Sequence, residues 1–557
     1  MKKIYIFLFF ILLIASFLRF YQLGQNPPSL TWDEAAWGYN AYSLGKEARD
    51  EFGRFLPLDY LESFGDFKPP VYAYLAIIPV KIFGLSEFSV RFPSAFFGVL
   101  TVLMTYFLVK TLFKTNSESE ILNPKQIQNT KYKILNTELY ALFSALILAI
   151  SPWHIMLSRA AFEANVATFF IIAGVIFFLW AVKGSRWFII LSIISLAISL
   201  YTFNTARIVS PLLILALAIG FRKELFKIKK QVIFAVILGI LLIIPSVNFL
   251  LSPQASLRFR EVNIFSDIGI ITNTNQEIAN DNNSFWSKIL HNRRLAYGVS
   301  YLKHYFDNLN PNFLFIKGDG NPKFSTQTVG QMYLWDLVFL ISGIFLLIKK
   351  KEGFWWIIPL WLILGIIPAG TARETPHALR IEATLPTFQI ITAYGFINLI
   401  SFVKKYRIAI ILLLLSLLFL NFLYFFRDYI VHYPRIYSGE WQYGYKESIH
   451  YVSQQYDNYD EVRIISSLGR PYIYYLFYTN YNPSKFRETA EINRDVNGFV
   501  DVFSFDKYRF MDRLDLVNND KKKILFISTP DKIPSKSKQL KTFYLLNGKP
   551  VLAAFTR

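Results

Sequence analysis

The sequence predicts a polytopic α-helical membrane protein of about eleven transmembrane helices, with extracytoplasmic loops and a small C-terminal α/β domain. Three observations carry that prediction. Of the 557 residues, 53% are apolar and only 18% are charged, where a soluble chain carries about 25% charge. The apolar residues come in runs near the ~20 residues that cross a bilayer. The basic residues sit beside those runs: segments 1–3, 110–133, 183–186, 221–230, 349–352 and 404–407 hold 20 Lys or Arg against 4 Glu, so 49 residues carry +16 of the net +20. Positive charge gathered in short loops between apolar runs is the positive-inside signature rather than a nucleic-acid-binding face. Disorder is excluded by the amount of apolar side chain to bury. With no cysteine in the chain, disulfides, thiol catalysis and Cys-type metal centres are excluded as well.

The runs lie at 4–21, 92–109, 137–151, 165–182, 187–203, 208–221, 231–251, 333–348, 354–370, 381–403 and 408–426. Lys2-Lys3 gives the first a signal-like start, but no small-residue cleavage site follows, so it reads as an uncleaved anchor. With the N-terminus cytoplasmic, alternation puts all six basic segments inside. Segments 22–91, 152–164, 204–207, 252–332, 371–380 and the tail after 426 then lie outside. Val71–Leu85 is a further apolar run. A crossing there would invert every later basic loop, so an interfacial or re-entrant helix is expected. The reading divides the chain into a transmembrane domain, 1–427, and an extracytoplasmic domain, 428–557. The tail is long enough for one small soluble domain, with strand-like runs Val462–Ser466, Phe499–Phe503 and Ile524–Ser528 and a helix-like stretch from Tyr445 to Gln455.

Candidate chemistry collects on the outer side. Thr31-Trp32-Asp33-Glu34 opens a helix-like stretch beyond the first span, and adjacent carboxylates there suit a general base with a neighbour orienting substrate or metal. Thr31-x-x-Glu34 also matches a capping box, which accounts for the acids structurally. In Asp66-Phe67-Lys68-Pro69-Pro70 the diproline disfavours helix at Lys68 and presents its ammonium from an extended segment. That charge suits a phosphate, or lipid headgroups reached by snorkelling. Arg91 lies at the mouth of the second span, with Pro93 expected to start the helix, and a headgroup anchor is the stronger reading of it from position alone. Arg159 and Glu163 have the spacing of an i,i+4 pair on an interfacial helix. In Thr375-Pro376-His377-Ala378-Leu379-Arg380, His377 and Arg380 share a face if a helix starts at Pro376, and a guanidinium beside an imidazole suits a phosphodiester or pyrophosphate, or interfacial snorkelling. No Walker loop, Gly-rich dinucleotide turn or Ser-His-Asp order stands out, so a lipid-linked donor fits better than a nucleotide.

Together these segments resemble the GT-C membrane glycosyltransferases, in the branch that uses polyprenyl-phosphate sugars and contains protein O-mannosyltransferases and the lipid A aminoarabinose transferase. The likeness lies in motif order: Asp33-Glu34 after the first span, Lys68-Pro69-Pro70, Arg91 to Gly98 opening the second span, Phe313 to Asn321 with its Gly318-Asp319-Gly320-Asn321 run, and Pro376 to Arg380. It covers roughly 1–430, the tail matching only in position. The resemblance implies a GT-C fold and transfer of a sugar from polyprenyl phosphate to an acceptor hydroxyl with inversion. Asp33 would be the general base and Glu34 would help hold substrate. Lys68, Arg91 and Arg380, with His377, would stabilise the donor phosphate, and Arg159 and Asp319 are further candidate contacts. Two positions depart from the pattern: Ala36 stands where aminoarabinose-type enzymes tend to carry Arg, and Lys323-Phe324 where many bacterial members have a basic-His pair.

The resemblance names no sugar. The expected partners are a membrane lipid donor and an acceptor protein, lipid or glycan, with no nucleic acid. Glu34, His154, His304 and His377 lie outside without a diagnostic ligand spacing, which leaves a divalent metal open. The competing class is a transporter or flippase of a lipid-linked glycan, which calls for ionisable residues or broken helices at the bilayer midplane. These spans read largely uncharged through their centres. A protein N-glycosyltransferase is disfavoured because the tail holds no evident Trp-Trp-Asp motif.

Overall fold

A computed structural model describes residues 2–113, 124–253, 255, 263–403, 405–494, 500–513 and 522–557. Each of the eleven apolar runs lies on a helix. Among the described residues four helices are long and apolar enough to cross a membrane by themselves: Glu87–Phe113, Glu163–Val182, Lys229–Leu250 and Arg407–Tyr437. Leu135–Ile150 continues into Pro152–Arg159 through a 57° bend, and six shorter apolar helices include Ile4–Phe20 and Val71–Phe83. Parts of the basic segments 110–133 and 404–407, of the loop 252–332 and the first residue of the strand-like run Phe499–Phe503 lie outside the described residues.

The chain forms two compact units. The first comprises Met1–Leu18, Phe97–Leu157 and Glu163–Phe425. Its interior is helix on helix. Glu163–Val182 packs against Phe188–Leu200 where Gly174 leaves room: a Cβ there would lie 2.7 Å from Leu196 Cγ. The Ser192 hydroxyl donates to the Gly174 carbonyl at 2.7 Å. By contrast, only 17% of the apolar window of Lys229–Leu250 is buried. Surfaces of that kind are stable against lipid, not water.

The second unit comprises Arg19–Phe96, Ser158–Phe162 and Phe426–Arg557. Among its described residues a seven-stranded mixed sheet has the order 491–494, 500–505, 508–511, 461–465, 524–528, 550–556 and 538–544. The strands are β3 (Glu461–Ile465), β4 (Glu491–Arg494), β5 (Val500–Phe505), β6 (Tyr508–Met511), β7 (Ile524–Ser528), β8 (Lys538–Tyr544) and β9 (Pro550–Thr556). Central β3 runs parallel to β6 and β7, with Ile464 opposite Phe510 and Ile527. Helix Tyr445–Gln454 precedes the sheet, as its sequence predicts. Helix Pro471–Tyr478 follows β3 and packs on Trp32–Glu47. That approach needs Gly38, because a Cβ there would fall 2.4 Å from the Phe477 ring and 2.6 Å from Val90.

Candidate active site

Two short elements of the second unit set the site. Helix Trp32–Glu47 starts at Thr31, whose hydroxyl accepts from the Glu34 amide at 3.2 Å while the Glu34 carboxylate accepts from the Thr31 amide at 3.0 Å. The capping box foreseen from Thr31-x-x-Glu34 is thus formed. A hairpin of β1 (Leu61–Ser63) and β2 (Asp66–Lys68) pairs Ser63 with Asp66. Its two-residue turn, Phe64-Gly65, has positive φ at both positions, 62° and 78°, the geometry that matches strand twist. Lys68 ends β2, and Pro69-Pro70 leads into the Val71–Phe83 helix.

These elements bring Lys68 and Asp33 together: the Lys68 ammonium donates to Asp33 Oδ1. The two side chains differ in setting. That of Lys68 is 9% exposed and that of Asp33 is 51% exposed. The ammonium lies 5.3 Å from the Trp37 ring and 5.7 Å from the Phe64 ring. A cation set in an aromatic wall and facing an open carboxylate is available to another anion once that carboxylate gives way.

Glu34 has the opposite fate. It is buried and receives Arg91 Nε at 2.9 Å and the Ala161 amide at 3.0 Å in addition to its cap bond. Arg91, also fully buried, spends its remaining donors on the carbonyls of Leu23 (3.2 Å), Pro27 (2.8 Å) and Ser29. Arg159 donates to the carbonyls of Tyr21 (2.7 Å) and Asn26 (2.8 Å), over the Tyr429 ring at 5.5 Å. Both arginines therefore fasten the irregular 21–29 segment that leads to Thr31. The helix bearing Arg91 begins at Glu87, not at Pro93. Ser86 and Ser89 account for the earlier start by capping it reciprocally, Ser86 N to Ser89 Oγ at 3.0 Å and Ser89 N to Ser86 Oγ at 3.3 Å. Arg159 and Glu163 do not share a helix, since one ends at Arg159 and the next starts at Glu163.

In the first unit, Asp319, His377 and Arg380 form a cluster. Asp319 is buried and accepts from the amides of Asn321 (2.8 Å) and Ala378 (2.6 Å). Burial raises its carboxyl to about 6. His377 Nδ1 lies 4.0 Å from Asp319 Oδ2, and its ring packs on Phe324 at 4.9 Å. Burial and the Arg380 charge lower His377 to about 3, so the imidazole is neutral and the positive charge here is Arg380's. Residues 376–380 form a turn rather than a helix; the Asn308 side chain fixes it by accepting from the His377 amide at 3.0 Å. Among the described residues no three His, Cys, Asp or Glu gather as metal ligands.

Sequence reasoning missed the tail's contribution to the frame around Asp33. The Tyr474 hydroxyl donates to the Leu30 carbonyl at 3.1 Å and that of Tyr478 to Glu87 at 3.2 Å. Tyr472 donates to the buried Glu51 at 2.8 Å. The signal was Tyr472 and Tyr474, two hydroxyls within an apolar helix, where burial favours finding an acceptor.

Comparison with known proteins bears on the fold and the family. The model of the family described as dolichyl-phosphate-mannose-protein mannosyltransferase matches residues 67–118, which include Lys68-Pro69-Pro70 and the Arg91 to Gly98 run. An uncharacterized protein of Aquifex aeolicus (strain VF5) is 28% identical over 219 residues. That match spans 38% of this chain and 38% of that protein. The crystal structure of ArnT from Cupriavidus metallidurans in the apo state superposes with a TM-score of 0.52 at 11% identity, covering 99% of this chain and 98% of that one. The structure of the same protein bound to undecaprenyl phosphate gives 0.55, at the same identity and coverage. At that identity the likeness is one of fold. The chain has the ArnT-like GT-C fold, and the resemblance to GT-C glycosyltransferases carried by its motifs is borne out.

Proposed function

We propose that the protein is a glycosyltransferase working at the outer face of the membrane, moving a sugar from a polyprenyl-phosphate donor to an acceptor hydroxyl. The observation that carries this reading is the Lys68–Asp33 pair, a shielded ammonium holding a solvent-open carboxylate. Donor binding places the singly charged phosphodiester on the Lys68 ammonium in place of Asp33, one anion exchanged for another. The freed carboxylate takes the proton of the acceptor hydroxyl as its oxygen bonds to the anomeric carbon. The bond from that carbon to the phosphate oxygen breaks on the opposite side, its electron pair leaving with polyprenyl phosphate, so the configuration inverts. Lys68 compensates the charge on the leaving phosphate. Glu34, Arg91 and Arg159 act as positioning residues, since each holds backbone groups of the frame. Within the first unit, Arg380 is the alternative candidate for a phosphate cation, with the neutral His377 beside it.

The support for a lipid donor is the fold shared with ArnT, a protein crystallised with undecaprenyl phosphate. The test is a transfer assay in liposomes with radiolabelled sugars on polyprenyl phosphate and membranes as acceptor. Asp33→Asn is expected to lower turnover by about 10²–10⁴-fold, the usual worth of a general base, with donor binding retained. Residual transfer near wild type would remove Asp33 from that role. Labelled lipid crossing the bilayer without donor consumption would favour a flippase instead.

A further inference from the structure

A cavity of about 250 Å³ opens at the carboxyl ends of the adjacent parallel strands β3 and β6, where α/β sheets commonly bind ligands. Its walls include Ser466, Gly469 and Arg470 after β3, Asp501 and Phe503 on β5, and Asp512 after β6. Two of these walls also touch the frame of Asp33 and Lys68. Gly469, at φ 118°, rests on the Trp32 indole, where a Cβ would lie 2.8 Å from the ring. Trp32 immediately precedes Asp33. The Arg470 guanidinium lies 5.5 Å from the Phe64 ring, the same ring that Lys68 approaches at 5.7 Å. The cavity is therefore one residue removed from the proposed base on one side and one ring removed from the proposed phosphate cation on the other.

We infer that this cavity is the acceptor subsite and that it takes a neutral, hydroxyl-rich carbohydrate. The inference rests on the transferase reading of Asp33. Its lining combines carboxylates, a serine hydroxyl and aromatic rings, the set that hydrogen-bonds sugar hydroxyls and stacks on sugar C–H faces. Phe503 is half exposed, and its ring has no place in the sheet's core. The charge balance disfavours a phosphorylated headgroup. The one guanidinium is engaged by Asp501 at 3.1 Å and by the Val500 carbonyl at 3.3 Å, and Asp512 adds a second negative charge to the lining. A bound chain would reach over Trp32 and Phe64, presenting a terminal hydroxyl to Asp33.

Saturation-transfer NMR on the full-length protein in detergent micelles tests this, with neutral trisaccharides of glucose, galactose and mannose as probes. A trisaccharide 6-phosphate and a Ser/Thr-rich peptide serve as competing ligand classes. A neutral trisaccharide is expected to bind wild type and Asp33→Asn alike, and about tenfold more weakly to Phe503→Ala and to Asp512→Asn. Equal binding by all four proteins, or no binding of any neutral trisaccharide to wild type, overturns the subsite. Preference for the phosphorylated sugar or the peptide, lost in the same two variants, overturns the carbohydrate assignment. Donor consumption is measured in parallel on the same samples. Its absence in wild type defeats the transferase reading, whereas the saccharide result addresses the cavity alone.

Discussion

Asp33 and Glu34 are neighbours in sequence with opposite environments. One carboxylate is half open to solvent with a single cation beside it, and the other is saturated inside the frame. Their variants should differ accordingly. Under the proposed role, Lys68→Ala would remove a charge-assisted contact to the donor phosphate, worth about 1.5–3 kcal/mol. The donor KM is expected to rise at least tenfold, with Lys68→Arg restoring only part because a planar guanidinium does not replace a compact ammonium. An unchanged donor KM would dismiss Lys68 as the phosphate cation. Arg91→Ala instead leaves Glu34 buried without its ion-pair partner. A loss of about 3–5 kcal/mol is expected, read as a lowered midpoint of thermal unfolding in detergent. A normal midpoint with a raised donor KM would return Arg91 to the substrate.

At the scale of elements, Glu51 links the loop after Trp32–Glu47 to the tail helix. Its carboxyl accepts from Tyr472 at 2.8 Å and from Asn40 at 3.4 Å, and burial raises it to about 8. The folded protein therefore holds a proton that the unfolded chain releases near 4.5. Stability from this group is fully present below that value and lost as pH rises toward about 8, at up to about 1.4 kcal/mol per pH unit. Glu51→Gln keeps the hydrogen bond from Tyr472 without the titration. Its unfolding midpoint is expected to vary less than wild type between pH 5 and 8, and parallel profiles would refute the assignment. Local elements were legible beforehand because their causes are local: the capping box at Thr31, the extended segment before Pro69-Pro70, and the helix at Tyr445. The helix start at Glu87 was missed because two serines outweighed the proline signal. The turn at 376–380 was set by Asn308, a residue distant in sequence.

Across the whole molecule, the basic segments predict sidedness: the loop at Lys183–Arg186 inside and the tail outside. The cysteine-free sequence makes a direct measurement possible. Ser185 and Ser535 are both exposed. In intact cells a membrane-impermeant maleimide is expected to label Ser535→Cys and to spare Ser185→Cys until the membrane is opened. The reverse pattern would invert the topology and move Asp33 to the cytoplasmic side.

The sequence by itself determined that the chain is a helical membrane protein, where its long apolar runs lie, and which short segments carry unusual polar residues. Each of those properties is written in composition, periodicity or a motif a few residues long. Only the tertiary structure decided how the polar residues divide their work. Arg91 meets Glu34 across 57 residues and Tyr472 meets Glu51 across 421. Which carboxylate is left open depends on which donors arrive to satisfy its neighbour. That is a matter of desolvation and geometry in three dimensions, since a buried charge must be paired whereas an exposed one is not so constrained.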